Sequence, residues 1–116
     1  MPNLNHAFSA LADPTRRAIL ARLSQGEATV MQLAEPFEMS QPAVSRHLKV
    51  LEEAGLITRR AEGTTRPCRL APAGIDAIDQ WLDMLRKALT RNYERLDQLL
   101  AEIAPPQPSI PKKRKD

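Results

Sequence analysis

Apolar positions in this chain recur at helical spacing in five stretches and switch to alternation in one. In residues 4–12, Leu4, Phe8 and Leu11 fall three or four apart and predict a short first helix. Asp13-Pro14 reads as an N-cap and a first-turn proline, opening a second helix in which Ile19, Leu20 and Leu23 are apolar and Gly26 terminates. Thr29 begins a shorter helix, TVMQLAEPF, with Val30, Leu33 and Ala34 facing inward. Pro36 breaks it, and Phe37 and Met39 fill the turn that follows.

The best-marked stretch is residues 40–56, SQPAVSRHLKVLEEAGL. Ser40 suits an N-cap, where its hydroxyl accepts a bond from an orphaned backbone N–H, and the missing donor of Pro42 does little harm in the first turn. Val44, Leu48 and Leu51 make one apolar stripe, and Gly55 ends the helix. At about 100° per residue, Pro42, Arg46, Lys49 and Glu53 lie opposite that stripe, with Gln41 and Ser45 on its flank. His47 lies near the stripe's edge, which fits a structural histidine, with a base-reading role as the alternative.

The period then changes. Ile57, Arg59 and Ala61 alternate with Thr58, Arg60 and Glu62, a Gly63-Thr64-Thr65 turn follows, and Arg66 to Leu70 returns, which predicts a β-hairpin over residues 57–70. Pro67 fits an edge strand. Cys68 should share a face with Leu70, as a small buried residue or, alternatively, a redox switch. From Pro72 onward Ile75, Ile78, Leu82, Leu85, Leu89, Tyr93, Leu96, Leu100 and Ile103 hold one stripe of a single long helix. Between the first and last of these it would run about 42 Å, longer than one small domain can cover. Part of that stripe must meet another chain. Pairing with the same helix of a second subunit, supported by Leu4 and Phe8 of the first helix, gives a symmetric homodimer through Leu82, Leu85, Leu89, Tyr93, Leu96 and Leu100. Trp81, beside the stripe, is expected in the core or the interface.

Two helices joined by a tight, apolar-anchored turn and followed by a hairpin predict a winged helix-turn-helix. The amide, hydroxyls and cations of the helix 41–54 would enter a major groove, and the 57–70 hairpin would be the wing. Charge sharpens this picture. The formal net charge is +3, and Lys112, Lys113, Arg114 and Lys115 against Asp116 account for all of it, so residues 1–111 sum to zero. Within them, residues 40–71 hold Arg46, Lys49, Arg59, Arg60, Arg66 and Arg69 against Glu52, Glu53 and Glu62. Basic charge gathers where phosphate contact would need it. The expected contacts to double-stranded DNA are Ser40, Gln41, Pro42, Ser45, Arg46 and Lys49 on the helix, and Arg59, Arg60, Thr64, Thr65 and Arg66 on the wing.

Length and composition set the remaining bounds. A chain of 116 residues with 42% hydrophobic and 27% charged residues is one globular domain, here 1–104 for DNA binding and dimerisation. The proline-rich residues 105–116 are expected to form a disordered basic tail. No apolar run has the length of a signal or membrane span, so a cytoplasmic location without membrane contact is expected. The single cysteine excludes an intramolecular disulfide. No Ser/His/Asp or Cys/His set and no phosphate-cradling glycine loop is present, so an enzyme is not expected.

The run MSQPAVSRHLKVLEEAGLITRR, preceded by FSALADPTRRAIL, resembles the ArsR/SmtB family of bacterial winged-helix repressors over about residues 6–70, with a family-like terminal helix after it. The resemblance implies a mainly α fold with a small β-hairpin, dimerising through terminal helices, and a homodimeric repressor at an inverted-repeat operator. It also implies base reading by Gln41, Ser45 and Arg46, with Ser40 and Pro42 close to the backbone or a thymine methyl. Pro42 departs from the small polar residue often found there, which removes one donor. Metal sensors of the family carry a cysteine pair on the helix before the turn. Here Val30, Met31 and Gln32 stand in that region. Others pair Asp with His on the terminal helices, yet Asp76, Asp79 and Asp83 are followed by no histidine, and oxygen ligands alone suit a borderline metal poorly. No metal and no cofactor is expected. The remaining alternatives are a derepressor of the same fold answering to an unrecognised small-molecule effector or to oxidation, and an interaction module that has lost DNA binding.

Overall fold

A computed structural model describes residues 4–103; the expected tail, 105–116, lies outside them. The order is α1 (Leu4–Leu11), α2 (Pro14–Leu23), α3 (Val30–Ala34) running into a 3-10 turn (Glu35–Phe37), α4 (Gln41–Glu53), β1 (Ile57–Arg59), β2 (Cys68–Leu70) and α5 (Pro72–Ile103). The chain divides into two compact units, Met1–Trp81 and Leu82–Asp116. The architecture is the mainly helical winged helix-turn-helix expected from the periodicity.

The caps form as the sequence predicts. Asp13 accepts the Arg16 N–H at 3.0 Å, and Ser40 accepts the Ala43 N–H at 3.2 Å. Thr29 closes a capping box in which its hydroxyl takes the Gln32 N–H and the Gln32 side chain takes the Thr29 N–H. Glu38 turns the chain into α4 at φ 53°, a left-handed conformation on a non-glycine residue. Flanking it, Phe37 and Met39 pack against the core, as expected for the turn.

In the first unit α4 is the central element, packed by α1, α2, α3 and β1. Val44, Leu48 and Leu51 are fully buried with Ile19, Leu33, Leu56, Ile57 and Cys68, and Leu23 is buried beside them. From α1, Ala7 and Ala10 enter the core, Leu11 is partly buried, and Phe8 stays outside it with its ring edge-on to Trp81 at 5.1 Å. Small side chains let the helix backbone approach closely, and the larger Phe8 lies off that contact.

The hairpin is shorter than its alternation predicts. Regular pairing joins Ile57 with Leu70, Thr58 with Arg69 and Arg59 with Cys68, and stops there. The next pair is the reason: Arg60 donates its N–H to the Pro67 carbonyl at 3.2 Å, but Pro67 has no N–H to return the bond. Beyond it only an isolated Glu62–Thr65 bridge closes the tip. On its other edge β2 pairs through Cys68 with Ala28, in the loop before α3. Cys68 is buried and on the same face as the partly buried Leu70, as expected.

At the start of α5, Gly74 lies so close to the turn after α4 that an added Cβ would meet the Gly55 carbonyl oxygen at 1.9 Å. In the second unit, helix α5 continues from Leu82 to Ile103 with no buried residue. Leu82, Leu85, Leu89, Tyr93, Leu96, Leu100 and Ile103 all stand exposed at three- and four-residue steps. Asp83 pairs with Lys87 at 3.0 Å on the polar face.

Candidate nucleic-acid interface

Helix α4 commits one face to the core and leaves the other to solvent. Gln41, Pro42, Arg46 and Lys49 are exposed, as is the cap Ser40, and Ser45 is half-buried at the margin. The short α3 and the wing flank this face. Between them runs an open cleft of about 470 Å³, lined by Gln41 and Ser45 of α4, by Thr29, Val30 and Met31 at the start of α3, and by Arg59, Thr64, Thr65 and Arg66 of the wing. Nine residues of the expected set, with Ser40 at its edge, therefore share one face or the cleft beside it. Met31, two-thirds exposed in the cleft, was not among them.

The cations of this region differ in what already holds them. Arg59, on the inward face of β1, donates from Nε and Nη2 to Glu52 near the end of α4, at 3.3 and 2.9 Å, and its side chain is only 13% exposed. Arg60 points to the opposite face and is forked across two carboxylates. Its Nη1 and Nη2 reach Glu27 at 2.5 and 2.8 Å, and its Nη2 and Nε reach Glu62 at 2.7 and 3.1 Å. The same hydrogen bonds hold the Glu27 carboxyl below its usual range, and the two carboxylates raise Arg60. Arg46, Lys49 and Arg66 make no ion pair among the described residues. The expected cations thus divide into a paired set, Arg59 and Arg60, and an uncommitted set on the α4 face and the wing tip.

His47 takes the structural reading. Its Nδ1 lies 3.3 Å from Arg16 Nη1 and 4.0 Å from Asp13 Oδ2, which ties the middle of α4 to the start of α2. Arg16 itself donates to the Ala10 and Ser9 carbonyls at 2.7 and 3.2 Å, and Arg17 to the Leu11 carbonyl at 2.7 Å. These guanidinium groups satisfy the orphan carbonyls at the end of α1. Asp13 is held below its usual range chiefly by the Arg16 N–H, and then by the charges of Arg16 and His47. Neither Arg16 nor Glu27 was identifiable in the sequence, because their partners lie 31 and 33 positions away.

Burial raises the Cys68 thiol, and its Sγ contacts the Arg66 carbonyl at 3.6 Å. Among the described residues no group of three His, Cys, Asp or Glu side chains could hold a metal ion, and no helix is long and apolar enough to cross a membrane.

Residues 13–59 match the model of the family described as bacterial regulatory protein, arsR family. The HTH-type transcriptional regulator Rv2034 of Mycobacterium tuberculosis is 45% identical over 94 residues, 80% of this chain and 88% of that protein. The transcriptional repressor SdpR of Bacillus subtilis is 42% identical over 60 residues, 52% of this chain and 67% of that protein. Among solved structures, the homodimeric winged helix-turn-helix DNA-binding domain Mb0332 from Mycobacterium bovis superposes with a TM-score of 0.60 at 28% identity, covering 72% of this chain and 78% of that one.

Proposed function

The chain belongs to the arsR family of bacterial regulatory proteins and is a winged helix-turn-helix transcriptional regulator, and from that premise we propose how it reads and holds DNA. Helix α4 lies in a major groove with Ser40, Gln41, Pro42, Ser45, Arg46 and Lys49 toward the duplex, and Gln41, Ser45 and Arg46 read bases. Thr64, Thr65 and Arg66 of the wing contact phosphate or the adjacent minor groove. One observation carries this reading: of the cations expected at the DNA, those that no carboxylate holds, Arg46, Lys49 and Arg66, lie on the α4 face and the wing tip, whereas Arg59 and Arg60 are paired.

The exposed stripe of α5 meets its counterpart in a second copy, with Leu4 and Phe8 adding to the interface, so that residues 1–104 serve DNA binding and dimerisation together. A two-fold dimer presents two reading helices to an inverted repeat, and occupancy of that site blocks transcription by exclusion, which needs no further surface. The regulator works on DNA in the cytoplasm, without catalysis.

Fluorescence anisotropy across a salt series tests the reading, using a duplex selected by the wild-type protein from a random pool and a shuffled control. Arg46→Ala is expected to cost about 1–3 kcal/mol on the selected duplex and to relax preference at one base position. Arg66→Ala is expected to weaken both duplexes alike and to lower the salt slope by about one. Unchanged discrimination in Arg46→Ala would overturn the assignment of the reading face.

A further inference from the structure

The wing tip is weakly tied by its backbone. Past Arg59 and Cys68 the ladder loses its reciprocal bond because Pro67 cannot donate, and residues 60–67 retain one bond from Arg60 to Pro67 and the Glu62–Thr65 pair at the turn. The side chain of Arg60 spans this weak point. Glu27 immediately precedes Ala28, whose backbone pairs with β2, so its carboxylate stands beside the same strand from the outer edge, and Arg60 crosses Pro67 to meet it in a two-oxygen fork. Glu62, from the tip itself, takes the remaining side of the guanidinium. Tip, strand and body are thus joined through one planar group whose fork geometry fixes direction as well as distance.

We propose that Glu27 is a positioning residue for DNA recognition: by holding Arg60 it sets the wing tip at the angle from which Thr64, Thr65 and Arg66 reach the duplex. Arg60 serves the same latch instead of binding phosphate. Both side chains are about half exposed, so the latch adds little to global stability, and its effect falls on the placement of a segment that little else restrains. The consequence for DNA rests on the reading proposed above, whereas the latch itself does not.

The two ideas predict opposite signs. Glu27→Gln removes a negative charge next to the DNA-facing wing, and charge alone would tighten binding to every duplex. A latch predicts instead that affinity for the selected and the shuffled duplex alike falls about two- to fivefold, the range expected of an exposed ion pair. It also predicts that backbone NMR relaxation at residues 61–66 reports larger motion, while amides of α2 and α4 stay unchanged. Glu27→Asp, which keeps the charge but shortens the reach to Arg60, should change both readouts less than Glu27→Gln, and unchanged α2 and α4 amides guard against a variant that fails for want of folding. Equal tightening on both duplexes, or wing relaxation identical to wild type in Glu27→Gln, would overturn the latch. If the wild-type protein does not discriminate between duplexes, the DNA reading fails, and the relaxation data still decide the latch.

Discussion

The unit that ends at Trp81 and the stretch from Leu82 to Ile103 are equally periodic in sequence and opposite in burial. In the first, nearly every apolar position that falls on a helical stripe of α2, α3 and α4 is removed from water, and Ile19, Leu33, Val44, Leu48, Leu51 and Leu56 are fully buried. In the second, seven apolar side chains at equally regular spacing all stand exposed. Periodicity identifies a face to be covered, but it does not say which chain supplies the cover. A contiguous apolar stripe of this length is larger than a lone soluble helix leaves to water, so the contrast points to a partner surface.

The largest expected effect sharpens that contrast. Leu89→Asp with Leu96→Asp should weaken self-association by about 4 kcal/mol or more, because each substitution acts twice across a two-fold interface. Sedimentation equilibrium would read the change, with Thr90→Asp and Gln98→Asp together as a control of equal charge off the stripe. No difference between the two variants would break the comparison, since the stripe would then be exposed in solution as well. Leu48→Ala acts on the other unit and should cost about 2–5 kcal/mol in denaturant unfolding by opening a cavity among fully buried neighbours. It should leave the fitted dimer constant of the folded protein unchanged.

Gly74→Ala reverses a familiar rule. Alanine favours an isolated helix over glycine, but here the added methyl would overlap the Gly55 carbonyl, so destabilisation of about 1–3 kcal/mol is expected by the same assay. The smallest effect is Asp13→Ala, a drop of a few degrees in melting temperature near neutral pH. Because the folded Asp13 carboxyl is held low, the cap contributes fully above the unfolded value of about 3.9 and is lost as pH falls through the lower folded value. The gap between wild type and variant should therefore close in acid.

Most of the fold could be read from the sequence because it is written locally. Ser40, Asp13 and Thr29 cap helices a few residues away, and Gly55 ends α4 at φ 77° as its position foretold. What escaped reading depends on contacts between distant parts of the chain. On α1 the residues that enter the core are Ala7 and Ala10, which hydrophobic size does not single out and which only the close approach of a neighbouring element selects. Alternation through residues 57–62 suggested a longer ladder, and the missing donor of Pro67 cut it short. Arg59 and Arg60 looked alike as basic wing residues, yet opposite pleat faces brought one to Glu52 and the other to Glu27. The left-handed turn at Glu38 carries no glycine to announce it.

The contact between Gly74 and Gly55 also has a mechanical meaning. The first turn of α5 and the turn that ends α4 touch backbone to backbone, with no side chain between them to compress or change rotamer. At this junction no rotamer is available to take up a misfit, so any bulk added at the first turn of α5 falls directly on the backbone that ends α4.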